Sequence, residues 1–86
     1  MKRKLKDKFA GFKGQIVDSW TRKSGDRVLL STQRYRGKKG ADLRIWFRTE
    51  NGFRPSNRGI RIPFDELESL FASVKRLKKL ADDDEL

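Results

Sequence analysis

Between Asp42 and Thr49 apolar and polar positions alternate strictly, with Leu43, Ile45 and Phe47 set against Arg44, Trp46 and Arg48, which is the period of a β-strand with one covered face. The same pattern extends in both directions. Gln15 to Thr21 and Arg27 to Arg36 read as two earlier strands, separated by the turn Lys23-Ser24-Gly25-Asp26. The second is followed by Gly37-Lys38-Lys39-Gly40, read as a turn that draws on glycine's positive φ. Glu50-Asn51-Gly52 is hairpin chemistry, because Asn and Gly accept the left-handed conformations that match strand twist. Arg58 to Ile62 is then a fourth strand, with Ile60 and Ile62 facing the core.

From Phe64 the period becomes helical: Leu67, Leu70, Phe71, Val74, Leu77 and Leu80 form one stripe at spacings of three and four. Asp65, Glu66 and Glu68 open this helix, and Lys75, Arg76, Lys78 and Lys79 lie near its end, so both ends complement the helix dipole. The predicted fold class is α+β, a four-stranded antiparallel sheet followed by one C-terminal helix (ββββα). The stripe is wide enough to cover its own sheet and still meet another subunit. A chain of 86 residues buries little surface on its own, so a homodimer joined through Leu67, Leu70, Phe71, Val74 and Leu77 is expected.

The two ends read differently. Residues 1–14 carry Lys2, Arg3, Lys4, Lys6, Lys8 and Lys13 against Asp7 alone, the composition of a flexible arm held open by self-repulsion. Leu5, Phe9, Phe12 and Ile16 keep a helical spacing through it, but Gly11 and Gly14 oppose a long helix. The expected organisation is a basic arm over 1–14, a binding domain over 15–81 and an acidic tail over 82–86. The tail's Asp82-Asp83-Asp84-Glu85 reads as a solvated stop, and no metal site is expected.

Charge changes the picture further. The net charge is +10, and it is unevenly placed: Met1 to Arg61 holds 18 Lys/Arg against 5 Asp/Glu, Ile62 to Leu86 only 4 against 7. The first part seeks a polyanion. With no Cys and no His, the chain lacks imidazole bases, thiolate nucleophiles and the usual zinc ligands, so neither catalytic residues nor a cofactor is expected. No apolar run approaches the length of a membrane span, and the basic start lacks a signal peptide's apolar stretch. An intracellular protein is expected, nuclear if eukaryotic, cytoplasmic or nucleoid-associated if bacterial or viral. Gly37-Lys38-Lys39-Gly40 is too short for a P-loop and lacks its Lys-Ser/Thr.

A face bearing Arg44, Trp46 and Arg48, with Arg36, Lys38, Lys39, Arg54 and Arg58 beside it, supplies what a single strand needs: cations for phosphates and rings for unpaired bases. A flat sheet enters a duplex groove poorly, so single strands are favoured over duplex. The competing reading places Trp46 and Tyr35 in the core.

The run Gln33-Arg34-Tyr35-Arg36-Gly37-Lys38-Lys39-Gly40-Ala41-Asp42-Leu43-Arg44-Ile45-Trp46-Phe47, followed by Arg54-Pro55-Ser56-Asn57-Arg58-Gly59-Ile60-Arg61-Ile62, resembles the core of the transcriptional coactivator family known as positive cofactor four. The resemblance spans roughly Gly25 to Leu70. It implies a curved sheet, a C-terminal helix at a dimer interface and single-stranded DNA held along the sheets. It also implies stacking by Tyr35 and Phe47, backbone contacts from Arg36, Lys38, Arg44, Arg54 and Arg58, and close approach of the strand at Gly59. Asn57 stands where that family usually has a base, and Pro63-Phe64 replaces its usual Asn-Pro helix start. Alternation nominates Trp46 for stacking where the family pattern nominates Phe47, so both stay as candidates. The partners expected are single-stranded DNA or RNA and the transcription machinery, with no membrane. The alternatives are an adaptor whose nucleic-acid binding is incidental, and a membrane-surface binder using Leu5, Phe9 and Phe12.

Overall fold

In the computed structural model, which describes Phe9, Phe12 and residues 14–84, the strands are β1 (Gln15–Thr21), β2 (Arg27–Tyr35), β3 (Lys38–Thr49) and β4 (Gly52–Pro63). They form one antiparallel sheet in sequential order. A 3₁₀ turn over Phe64–Glu66 leads into helix α1, Leu67–Asp82. Both prolines fall on the edge strand β4, where a missing N–H costs no ladder bond.

Two expectations about strand length need correction. The β2–β3 connection is only Arg36-Gly37, both at positive φ (52° and 81°), and the ladder already pairs Tyr35 with Lys38 and Gln33 with Gly40. Lys38 and Lys39 are therefore strand residues, and of the two glycines only Gly37 supplies a left-handed conformation. The fourth strand starts at Gly52, six residues before the predicted Arg58. A bulge hides it: Arg44 pairs with Gly59 and Trp46 with Pro55, so Ser56, Asn57 and Arg58 together oppose Ile45. Ser56 pins this bulge, its Oγ–H donating to the Ile45 carbonyl (2.7 Å) and its Oγ accepting from the Arg58 N–H (3.0 Å).

The covered face is the one expected to be open. Leu29 and Trp46 lie on it, fully or almost fully buried, and Phe9 closes over them with Phe12, Ile16 and Phe53 around the edge. The flexible-arm reading of 1–14 falls largely outside the described residues, but Phe9 and Phe12 are packed on the sheet. On the other face Leu43 and Ile45 are half-buried, while Trp20, Phe47 and Ile60 are exposed; Ile62 is buried. Helix α1 does not cover that face. Its substantial contact is with the 3₁₀ turn before it, and it buries none of its residues. Alternation defines two faces of a strand but not which one is covered, and here the arm, not the helix, decides.

Candidate nucleic-acid interface

Tyr35 ends β2 just before the tight turn, half-exposed. The Arg61 guanidinium, from β4, lies over its ring at 4.4 Å from the centroid, and that of Arg36 stands at 5.3 Å. Lys38 pairs with Tyr35 across the ladder. Tyr35, Lys38 and Arg61 border an open groove of about 560 Å³ that Gln33, Lys39 and Gly40 also line, together with Asp65 and Glu66. An aromatic ring, a guanidinium plane and free ammonium groups along one groove suit stacked bases and a phosphate backbone.

Arg44, expected to contact phosphate, is otherwise engaged. Its Nε and Nη2 donate to the two oxygens of Asp42 at 3.0 and 2.9 Å, and its Nη1 donates to the Ser56 carbonyl at 3.0 Å. Asp42 is 4% exposed, so this is a buried, bidentate ion pair. Hydrogen bonding to Asp42 raises the Arg44 pKa from its ordinary value, burial opposes the shift, and the carboxylate's charge adds to it. The side chain is a fixed cation at any pH the fold survives. Gly59, expected to admit the nucleic acid, instead makes room for this arginine: a Cβ there would stand 2.8 Å from Arg44 Cβ, Cγ and Cζ.

Trp46, a stacking candidate, is 5% exposed and meets Phe9 edge-on, so no base reaches it in this conformation. Phe47 is exposed and pairs with Arg54 on the opposite face. Arg58, also exposed, lies 3.8 Å from Asp26. The residues expected to bind therefore do not form one patch. Tyr35, Arg36, Lys38 and Lys39 gather at the β2–β3 hairpin end; Phe47 and Arg54 sit together elsewhere on the sheet.

Of the groove residues that were not among those expected, Arg61 and Gln33 carry side chains suited to a base or a phosphate. Arg61 had a signal: if Ile60 and Ile62 face one way, Arg61 faces the other. Its Nε also lies 3.9 Å from Asp42, so one buried carboxylate orients both arginines. Among the described residues, no group of three or more Asp or Glu side chains is placed to hold a metal ion, and no helix is long and apolar enough to cross a membrane.

Comparison with known proteins agrees with this architecture. No curated protein matches the chain in sequence. Among solved structures, a PC4 homolog from Burkholderia pseudomallei is similar with a TM-score of 0.68 at 21% identity, covering 77% of this chain and 98% of that one. At that identity the likeness establishes the fold alone. The profile of the family described as Transcriptional Coactivator p15 (PC4) matches residues 22–73, from the β1–β2 turn into the helix, and the chain belongs to that family of transcriptional coactivators.

Proposed function

We propose that the chain binds single-stranded nucleic acid, DNA in the first instance, along the face that carries Gln33, Tyr35, Lys38 and Arg61. It does so as a homodimer joined through α1, and its contribution to transcription is binding, not catalysis. The observation that carries this reading is the open groove in which Arg61 lies over the half-exposed Tyr35 ring beside Lys38 and Lys39. A base stacks on the Arg61–Tyr35 pair while the lysines neutralise flanking phosphates. Arg36 extends the basic surface at the turn, while Phe47 and Arg54 lie on the opposite face of the sheet, away from this groove. Duplex DNA keeps its bases stacked on one another and gains only the phosphate contacts. The site of action is then intracellular, where single-stranded template is exposed.

Titration with labelled single-stranded and duplex DNA of equal length, at two salt concentrations, tests the reading. The single strand should bind more tightly. Tyr35→Ala should cost about 1–3 kcal/mol of stacking with the salt dependence unchanged. Lys38→Ala should lower the slope of log affinity against log salt by about 0.7. Equal affinity for the two forms of DNA would overturn the proposal.

A further inference from the structure

Trp46 and Arg27 face each other across the β2–β3 ladder, and each holds a buried donor without a partner among the described residues: the indole Nε1–H and the guanidinium Nε–H. The rest of Arg27 is anchored, Nη1 donating to Thr21 Oγ1 at 2.6 Å and Nη2 to Ser19 Oγ at 2.7 Å, which fixes the guanidinium plane and the direction of its idle N–H. A buried tryptophan normally finds an acceptor. Among the described residues, what covers this one supplies none. Phe9 stands edge-on to the indole at 5.1 Å and 86°, Phe12 lies at 6.1 Å and 68°, and Phe53 backs Phe9 at 5.7 Å.

We propose that this is a second base-binding site, closed in the free protein by Phe9. A base of the bound strand displaces the Phe9 ring and stacks on the face of Trp46, an acceptor at its edge takes the Arg27 Nε–H, and the Trp46 Nε1–H, which lies in the plane of the indole, donates to a neighbouring oxygen of the strand. The inference rests on the single-strand reading above. The donors define the ligand class as a planar ring with an acceptor at its edge, a carbonyl in thymine, uracil, cytosine and guanine or a ring nitrogen in the purines. Phe9 is a removable cover: it meets the sheet through one isolated bridge to Phe53, not through a strand, so its release breaks little ladder. It is also flanked in sequence by Lys6, Lys8 and Lys13, cations that a phosphate backbone attracts. Closure lowers the apparent affinity by the fraction of molecules that are closed.

Trp20 is half-exposed on the opposite face, so Trp20→Phe leaves Trp46 as the sole indole reporter. When this full-length variant is titrated with an oligothymidylate, Trp46 emission should change in parallel with the anisotropy of the labelled strand. Phe9→Ala in the same background should show the emission of a solvent-exposed indole before any DNA is added, and bind about tenfold more tightly. If Phe9→Ala proves unfolded by circular dichroism, the emission titration of the Phe9-containing protein decides alone. If the strand binds while Trp46 emission stays constant to saturation, this inference falls and the single-strand reading stands. If the strand does not bind, both fall.

Discussion

Asp42 organises more of this protein than any residue the sequence pattern singles out. It is a carboxylate almost fully removed from water, which is tolerable only because Arg44 answers both its oxygens and Arg61 stands close by. Within the sequence it is one charged position in an alternating strand, and Arg44 and Gly59 carry the look of ligand contacts. The space above Gly59 is taken by Arg44, a fact of cross-strand register that alternation along one strand does not contain. Gly59→Ala should therefore push the guanidinium off Asp42. Overpacking costs about 1–3 kcal/mol, and a buried carboxylate stripped of its partner costs about 3–5 kcal/mol, so the loss measured by urea denaturation should exceed 1 kcal/mol. In a double-mutant cycle, Arg44→Met, which keeps Cβ and Cγ but has no guanidinium to displace, should remove the carboxylate part of the Gly59→Ala loss and leave only the overpacking part. Additive losses would mean that the two positions are not coupled and that Gly59 serves something else.

Among the elements, β1 and α1 were legible, while the starts of β3 and β4 were not, the first because glycine and lysine residues read as a turn are already in the ladder, the second because a bulge interrupts the pattern. β1 runs over the residues its flanking turns predict, and α1 follows its stripe once one 3₁₀ turn is allowed for. In β4, Pro55, Ser56 and Asn57 look like loop residues, yet they lie inside the strand because Ser56 replaces the ladder bonds that the bulge breaks. Its carbonyl also receives Arg44, so the bulge both bends β4 and seats the buried ion pair. Ser56→Ala leaves the Ile45 carbonyl and the Arg58 N–H without that partner. The expected destabilisation is about 1–3 kcal/mol in urea, the cost of unmaking part-buried hydrogen bonds. A change below 0.5 kcal/mol, roughly the size of a neutral surface substitution, would show that the bulge is held by strand twist and not by this hydroxyl.

At the scale of the whole molecule, the chain is more open than a compact monomer of its size. Its accessible surface is 7314 Å², where a compact monomer of 10.1 kDa exposes about 5,300 Å², and its radius of gyration is 14.5 Å against about 12 Å for a compact chain of this length. The excess includes the side of the sheet bearing Trp20, Ile60 and Phe47, and the α1 stripe, on which Phe71 is 65% exposed. Apolar surface on this scale marks an interface, and the sequence pattern showed the stripe without showing that its own sheet leaves it free. The i,i+4 pairs Lys78–Asp82 and Lys79–Asp83 lie on exposed side chains and add little to helix stability, so α1 depends on what its stripe packs against. A second copy offers both missing surfaces at once: helix to helix, and helix to the uncovered sheet face. Light scattering of the parent chain at micromolar concentration should give twice the mass of one chain. Phe71→Asp, which puts a charge at the most exposed point of the stripe, should give the single-chain mass and reduced helix content by circular dichroism, while Phe9, Leu29 and Trp46, which lie on the other face, stay packed. A parent chain that runs as a monomer would sink the dimer, and a Phe71→Asp variant that remains a dimer with full helix content would place the interface away from α1.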